Sequence, residues 1–363
     1  MSLLFEPITL GELTVPNRIW LSPMCQYSVT ARDGVPGDWH LAHYGARATG
    51  GFGLLITEAA AIRPDGRISP QDCGLWNDAQ VAGWARIVEF VHSQDARIAV
   101  QLAHAGRKAC THPAFPGRRP GSVPQAEGGW QTVAPSEMGF PGLAPTRELG
   151  RSEVAGIIDQ FAQAAVRADR AGFDAVEVHA AHGYLLHQFC SPLSNQRTDE
   201  YGGDFAGRTR IVVEVVDAVR AVWPAGKPVI VRLSATDWLP GGWDVEQTSR
   251  LAGVLSTRGV DLIDVSSGGL LPSQQITPGP GYQTGFARQV RQVSGLPTGA
   301  VGLITEPQQA EQHLTDGDAD VILLGREGLR EPYWPLKAAQ ELGWDDWRTL
   351  LPPQYHRSAL ASS

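Results

Sequence analysis

The sequence predicts an α/β protein of the (β/α)8 TIM-barrel class, with an N-terminal hairpin and a capping insertion after the third barrel strand. Eight short apolar runs, several rich in Val and Ile, recur along the chain, and amphipathic helical patterns lie between them. Such runs are typical of parallel strands that are covered by helices. A doubly wound sheet is the alternative, but it usually has fewer strands, so eight strand–helix repeats favour a closed barrel.

The predicted strands are residues 18–22, 53–57, 97–102, 174–179, 228–233, 261–266, 296–301 and 319–325. The clearest helix lies at residues 154–172, where apolar side chains recur at i, i+3, i+4 and i+7. Ser152 is its expected N-cap and Gly172 its expected stop. The spacing of a capping box predicts two further helix starts, at Asp244 with Gln247 and at Thr305 with Gln308.

Two segments fall outside the strand–helix repeat. Residues 105–150 are rich in Pro and Gly and too long for an ordinary β-to-α connection, so we expect an insertion that caps the C-terminal mouth of the barrel. The segment before the first strand has the pattern of a hairpin that covers the opposite end. With a C-terminal tail at about residues 342–363, the whole chain, 1–363, is predicted to form one domain.

The composition excludes several classes of function. The chain is 42% apolar and 19% charged, and its formal net charge of -8 does not supply the basic surface that nucleic-acid binding needs. No apolar run approaches the roughly 20 residues of a transmembrane helix, and the first residues lack the pattern of a secretory signal. The four cysteines are scattered without a CxxC pair. We therefore expect a cytoplasmic protein with free thiols and with no nucleic-acid or membrane partner.

The residues that follow the predicted strands are unusually polar. Barrel enzymes carry their chemistry at the C-terminal ends of the strands, so these side chains are expected to meet at one mouth. They are Pro23, Met24, Cys25, Tyr27, Glu58, Ala59, Gln101, His104, His179, His182, Tyr184, Arg232, Ser266, Ser267, Gly268, Gly302, Gly325 and Arg326.

Gly302 follows the seventh strand, and Gly325 with Arg326 follows the eighth. Barrels often bind a phosphate there, through backbone N–H groups and a helix N-terminus. No GxGxxG motif follows the first strand, which argues against a dinucleotide held on a Rossmann unit. One terminal phosphate of a bound ligand is therefore predicted at these three residues.

Five segments of the chain are similar to motifs of a known family: PNRIWLSPMCQYS (16–28), QLAHAGRKA (101–109), EVHAAHGYLLHQFCSPLSNQRTDEYGG (177–203), VRLSATD (231–237) and ILLGREGLREP (322–332). On these segments the chain resembles the Old Yellow Enzyme family of flavin-dependent ene-reductases over nearly its whole length. Cys25 with the histidine pair is similar to the smaller, thermophilic-like bacterial branch of that family.

The resemblance implies a noncovalently bound FMN and a transient NADPH or NADH reductant. It implies a phosphate site at Gly302, Gly325 and Arg326. The flavin ring would lie near the following residues, with Arg232 beside its N1/O2 side: Pro23, Met24, Cys25, Ala59, Gln101, Arg232, Ser267 and Gly268.

The expected reaction is reduction of the C=C bond of an α,β-unsaturated carbonyl compound. His179 and His182 would donate hydrogen bonds to the carbonyl oxygen, and Tyr184 would protonate Cα. Cys25 would contact the flavin and the substrate edge, and Tyr27 would hydrogen-bond the ligand. A homodimer or larger homo-oligomer is expected.

Three other residues keep open roles. His187 is either a catalytic neighbour or a packed or capping histidine. Lys108 and Arg357 either reach the rim of the active site, Arg357 from a neighbouring subunit, or are solvated surface charges.

Two rival functions remain at this point. A metal-dependent barrel hydrolase would also gather histidines at strand ends, but it would need ligands on several strands, and Pro-Met-Cys-Gln stands where such hydrolases commonly carry HxH. A noncatalytic flavin-binding barrel would bind FMN without turnover. Metal analysis and an NAD(P)H turnover assay separate these rivals from an ene-reductase.

Overall fold

A computed structural model describes residues 2–359, so Met1 and residues 360–363 of the predicted tail lie outside the described residues. Its strands are β1 (Ile8–Leu10), β2 (Leu13–Val15), β3 (Ile19–Leu21), β4 (Leu54–Ala61), β5 (Arg97–Ala103), β6 (Thr132–Ala134), β7 (Thr146–Glu148), β8 (Ala175–Ala180), β9 (Val229–Ser234), β10 (Leu262–Ser266), β11 (Thr298–Ala300) and β12 (Val321–Leu324). Strands β3, β4, β5 and β8 to β12 form a closed parallel barrel in chain order. The predicted barrel fold is therefore confirmed.

The helices are α1 (Asp38–Thr49), α2 (Asp78–His92), α3 (Arg151–Arg170), α4 (Leu185–Cys190), α5 (Phe205–Val222), α6 (Val245–Ser256), α7 (Thr284–Ser294), α8 (Pro307–Thr315), α9 (Arg326–Arg330) and α10 (Trp334–Glu341). The larger ones pack their apolar faces on the outside of the barrel, where most of the buried core lies. None of the helices in residues 2–359 combines the length and the apolarity that crossing a membrane requires.

The predicted helix caps are partly right. Gly172 ends α3 in the left-handed conformation (φ +91°), as expected. The Asp244 side chain accepts the Gln247 N–H at 2.8 Å, which is the predicted half of a capping box. Ser152 is not a cap, because the Glu153 carboxylate accepts the Gly150 N–H and α3 starts before Ser152.

Thr305 is also not a cap. Helix α8 starts one residue later than predicted, with Glu306 as its N-cap and Pro307 at its first position. Proline suits that position because its φ is already helical and the missing N–H would have no intrahelical partner.

The barrel interior is apolar at its N-terminal end. Side chains alternate between the two faces of a strand, so one residue in two points inward. The inward residues of this end form a buried cluster that the β1–β2 hairpin closes, as the sequence predicts: Leu10, Val15, Trp20, Leu54, Ile56, Ala99, Ala175, Ile230, Leu262, Val321 and Leu323. We call this cluster the apolar floor of the barrel.

The predicted insertion covers the other end of the barrel. Residues 105–150 are mostly irregular, with the short parallel pair β6–β7 as their regular part. Phe115 packs edge-on against Tyr27 with 5.8 Å between ring centroids, and Arg107 donates a hydrogen bond to the Met138 carbonyl at 3.0 Å. These contacts hold the insertion at the mouth.

Two adjacent isoleucines of α3 test the packing of helices on the barrel. Ile157 is fully buried, whereas Ile158 is only partly buried. Replacing Ile157 by Ala should lower the free energy of unfolding by about 2–5 kcal/mol, because it leaves a cavity in the core. The same replacement at Ile158 should cost clearly less. Denaturant unfolding of both variants measures this, and equal losses would contradict the packing described for α3.

Candidate active site

A charged layer lies above the apolar floor of the barrel. Its members stand two residues beyond inward-facing residues of the floor: Gln101, Glu177, Arg232 and Asp264. Arg232 Nε lies 2.9 Å from Asp264 Oδ2, and the Arg232 guanidinium also donates to Ser22 Oγ at 3.1 Å. Gln101 Nε2 donates to Glu177 Oε1 at 2.7 Å. We call these four residues the polar layer.

The polar layer carries one clear positive charge. Burial and the neighbouring Asp264 raise the pKa of Glu177 to about 8. Because Arg232 lies against Asp264, the negative charge of the two carboxyls resides on Asp264, and Glu177 holds a proton at neutral pH. A buried arginine thus faces the mouth with only one carboxylate against it.

A cavity of about 310 Å³ opens above Arg232, which is within the usual size range of ligand sites. Predicted residues that line it are Pro23, Met24, His182, Arg232, Gly302, Gly325 and Arg326. Gly302 has φ +131°, and a Cβ there would lie 2.9 Å from Gln283 Nε2. The cavity therefore has a backbone wall at Gly302, one buried arginine and two exposed ones, Arg326 and Arg330, the latter paired with Glu327. This excess of positive charge suits an anionic ligand.

A second group of predicted residues packs beside this cavity. Cys25, Tyr27, Ala59 and Tyr184 belong to one small apolar cluster that also includes Ala103. Burial, with Asp72 and Glu58 nearby, raises the pKa of Cys25 well above its ordinary value, and burial does the same for Tyr27. Both side chains are therefore neutral and can donate a hydrogen bond at physiological pH.

Three aromatic side chains connect the two groups. The His179 ring lies 5.3 Å from the His182 ring and 5.1 Å from the Tyr184 ring, both edge-on. Burial, and secondly the charge of Arg232, lowers the pKa of each histidine well below its ordinary value. Both imidazoles are therefore neutral. We call these three side chains the ring cluster.

The polar atoms of the ring cluster are only partly used within the protein. His182 Nε2 lies 2.8 Å from Ser266 Oγ, whereas His179 Nδ1 is buried with no hydrogen-bond partner among residues 2–359. Burial raises the pKa of Tyr184 well above its ordinary value, so the phenol keeps its proton. A buried polar atom without a partner is costly and is common where a ligand binds.

The turn that carries His182 is strained. His182 has φ +57°, a left-handed conformation that costs a non-glycine residue roughly 1–2 kcal/mol. Its N–H donates to Ser234 Oγ at 2.9 Å, and its carbonyl accepts from Lys108 Nζ at 2.8 Å. Lys108 thus reaches the site. Burial and Arg107 lower its pKa to about 8, so most of it is charged at neutral pH.

Several predicted residues lie away from the cavity. Gln101 is part of the polar layer below it. Ser267 Oγ accepts from Trp238 Nε1 at 2.9 Å, and the Gly268 N–H donates to the Thr236 carbonyl at 2.8 Å, so both are engaged within the loops. Ser266, one residue earlier, lines the cavity.

The expectation that Glu58 faces the mouth is wrong. Strand β4 has a register irregularity between Ile56 and Ala59, which turns Glu58 away from the mouth. Its Oε1 lies 3.2 Å from His40 Nε2 and its Oε2 accepts the Gln26 N–H at 3.0 Å. Glu58 therefore lies under the segment that carries Cys25.

His40, Glu58 and Cys73 form a compact buried group, with ligand atoms within 4.8 Å of one another. His40 Nδ1 accepts the Gly37 N–H at 3.0 Å, so the imidazole proton of neutral His40 is on Nε2. That nitrogen lies 3.2 Å from both Glu58 Oε1 and Cys73 Sγ. The group lies off the cavity, so it does not support the metal-hydrolase alternative.

Comparisons with known proteins agree with this geometry. The model of the NADH:flavin oxidoreductase / NADH oxidase family matches residues 3–344. The chain is 45% identical over 357 residues to the NADPH dehydrogenase of Geobacillus thermodenitrificans, with 98% of each covered. Morphinone reductase in complex with tetrahydroNAD is similar in structure, with a TM-score of 0.78, 34% identity, and 94% of this chain and 90% of that chain covered. The Old Yellow Enzyme homologue from Zymomonas mobilis has a TM-score of 0.79, 29% identity and 99% of each covered.

The acidic group beside Cys25 gives a pH-dependent prediction. Burial and Glu58 raise the pKa of Asp72 from 3.8 to about 8. Between these values the folded state binds one more proton than the unfolded state, so Asp72 makes the protein less stable as pH rises. Asp72→Asn should therefore gain stability over the original chain as pH rises from 4 to 8, by up to about 1.4 kcal/mol per unit.

Chemical denaturation at a series of pH values measures this difference. Asp38→Asn is the control, because the Asp38 side chain is 86% exposed and should give a nearly constant difference. A constant difference for Asp72→Asn as well would contradict a buried neutral acid at this position.

Proposed function

The chain belongs to the NADH:flavin oxidoreductase / NADH oxidase family, and we propose that it reduces the C=C bond of α,β-unsaturated carbonyl compounds. It is an FMN-dependent NAD(P)H oxidoreductase related to Old Yellow Enzyme, as the resemblance implies. The observation that carries the proposal is the ring cluster, two neutral imidazoles and a protonated phenol in mutual contact, of which His182 lines the cavity.

Cavity lining supports the assignment of FMN to this mouth. Gly302, Gly325 and Arg326 would hold the phosphate through backbone N–H groups and the exposed guanidinium. The ring would lie near Arg232, with Pro23, Met24, Cys25 and Ala59 as the other contacts that the cavity and the cluster beside it support. The resemblance alone adds Gln101, Ser267 and Gly268, none of which lines the cavity. When bound, FMN supplies hydride transfer between NAD(P)H and the substrate, chemistry that no side chain offers.

The two imidazoles would bind the substrate carbonyl oxygen. Each neutral ring carries one N–H, and a preorganised donor aimed at a developing oxyanion contributes on the order of 3 kcal/mol to the transition state. His179 is well placed for this, because its Nδ1 has no partner among the described residues. His182 would exchange its contact with Ser266 Oγ for the ligand.

Tyr184 would then protonate the substrate Cα. Its buried phenol stays protonated at neutral pH, as a proton donor must. Lys108 Nζ lies 4.9 Å from the Tyr184 ring centroid, so its positive charge would stabilise the phenolate left after transfer. Cys25 and Tyr27, neutral and in the same cluster, would contact the flavin and the substrate edge.

The substrate is a small molecule, and two finer assignments belong to the proposal. The chain would act as a homodimer or larger homo-oligomer in which Arg357 reaches a neighbouring mouth; Arg357 is exposed and lies in the segment Pro353–Ala359. The four cysteines are free thiols, which supports residence in a reducing compartment such as the cytoplasm.

An arginine away from the cavity serves as control for the phosphate site. Arg326→Gln should weaken FMN binding by about 1.5–3 kcal/mol, the range for a hydrogen bond to a charged group. Arg291→Gln on α7 should leave it unchanged, because Arg291 is paired with Asp320 and does not line the cavity. Titration of the deflavinated proteins with FMN, followed by flavin fluorescence, measures both. Equal affinities would remove Arg326 from the site.

The proton-donor role makes a kinetic prediction. Tyr184→Phe should slow reoxidation of the reduced enzyme by cyclohexenone by roughly 100-fold or more, because general acid catalysis contributes on that scale. Reduction by NADPH needs no proton from Tyr184 and should stay nearly unchanged. Stopped-flow absorbance of the flavin follows both half-reactions. Tyr201→Phe is the control, since the Tyr201 hydroxyl is bound to Glu214 outside the mouth. Equal slowing of both half-reactions would refute the role.

A further inference from the structure

The turn at His182 and Gly183 is closed by one backbone hydrogen bond, from the Tyr184 N–H to the Ala181 carbonyl at 3.1 Å. The backbone groups of His182 and Gly183 themselves are held by side chains. The His182 N–H donates to Ser234 Oγ and the His182 carbonyl accepts from Lys108 Nζ, while the Gly183 N–H donates to His187 Nδ1 at 2.8 Å. The Gly183 carbonyl accepts from Gln188 Nε2 at 2.7 Å. All four backbone polar groups of these two residues are therefore fixed.

The conformation of this turn needs such support. Both residues have positive φ, +57° at His182 and +69° at Gly183. A Cβ at Gly183 would lie 2.2 Å from the Gly269 carbonyl oxygen, so the turn is also packed closely against the loop after β10. Strained turns persist only where their surroundings over-determine them. The turn separates His182 from Tyr184, so any relaxation would move both side chains relative to the ligand.

The bond from Gly183 fixes the tautomer of His187. Because Nδ1 accepts a hydrogen bond, the proton of the neutral ring is on Nε2. His187 Nε2 lies 3.0 Å from Asp237 Oδ1, and neither atom has a different hydrogen-bond partner among residues 2–359. Both side chains are buried, with 1% and 0% exposed.

Asp237 is itself held in place. Its Oδ2 accepts from Ser191 Oγ at 2.6 Å and from the Trp243 N–H at 2.7 Å. Asp237 belongs to the loop after β9 and His187 to α4, so this chain of contacts joins the loops of two adjacent barrel strands behind the mouth. The proposed reaction uses neither residue directly.

We propose that His187, with its tautomer held by Asp237, is a positioning residue that sets the placement of His182 and Tyr184 through the Gly183 N–H. This inference rests on the proposed function only for its catalytic consequence. The structural half, a hydrogen bond that holds the Gly183 amide, stands independently of what the enzyme reduces.

Two amide replacements of His187 each keep one of its two contacts and remove the other. In His187→Asn the side-chain oxygen can take the place of Nδ1 and accept from Gly183, but the contact with Asp237 is lost. In His187→Gln the amide nitrogen can take the place of Nε2 and reach Asp237, but the acceptor for Gly183 is lost. The variants differ by one methylene, so a role in packing or charge alone would not favour Asn over Gln.

Hydrogen–deuterium exchange of the FMN-loaded protein is the first readout. The Gly183 amide should exchange slowly in the original chain and in His187→Asn, and clearly faster in His187→Gln. Equal protection in the two variants would overturn the inference. Thermal unfolding of each variant identifies any that fails to fold. The remaining variant is then compared with the original chain. Loss of Gly183 protection in His187→Asn, or its retention in His187→Gln, would then overturn the inference.

Ligand binding and turnover are the second readout. A displacement of about 1 Å at a catalytic group can cost on the order of 100-fold in rate, so His187→Gln should lower kcat/KM for cyclohexenone with NADPH by roughly 10- to 100-fold. Its Kd for 4-hydroxybenzaldehyde, followed by flavin absorbance, should rise in parallel, whereas His187→Asn should stay near the original chain. Equal values in the two variants would overturn the positioning role. If the original chain does not reduce cyclohexenone, the proposed function fails, and exchange at Gly183 still decides the structural half.

Discussion

The buried pair of Arg232 and Asp264 is the constraint on which the site depends. An arginine that is 4% exposed persists inside a barrel because a carboxylate lies 2.9 Å from its guanidinium and Ser22 accepts a further hydrogen bond. Removing one member of such a pair leaves an uncompensated buried charge, which typically costs 3–5 kcal/mol. The apolar floor below excludes water, so the charge of Arg232 is poorly screened by solvent. That charge helps to keep His179 and His182 neutral.

Neutral imidazoles suit the proposed chemistry better than charged ones. A cationic pair would bind any anion in the ground state, whereas neutral N–H donors gain most when charge develops on the substrate oxygen. The same burial that lowers the histidine pKa values raises those of Cys25, Tyr27 and Tyr184. One physical cause, exclusion of water by the insertion and the barrel, therefore keeps the whole mouth in its neutral, proton-bearing form. The positive charges that remain are those of arginine and lysine.

The sequence was sufficient for the barrel, the hairpin, the insertion and most of the mouth, because strand periodicity and strand order decide which residues meet. It was insufficient where the position of a residue depends on a strand irregularity or on the backbone path of a loop. Glu58 was misplaced by a one-residue irregularity in β4, and the caps at Ser152 and Thr305 by the local route of the loops. Glu177 and Asp264 were missed because they lie inside apolar runs. The period of two could have found them, since both stand on the inward face.

The distribution of charge explains how an acidic protein can attract anionic ligands. The formal net charge is -8, yet Arg107, Lys108, Arg232 and Arg326 gather at one mouth. Lys108 and Arg107 are also buried enough for burial to lower their pKa values, to about 8 and about 10, so their charges are poorly screened by solvent. A concave site with low-dielectric walls focuses such a field and speeds the encounter with charged molecules. Phosphate-bearing FMN and NAD(P)H are both anions, so one cluster of cations at one mouth favours the entry of each, while the acidic remainder of the surface repels them.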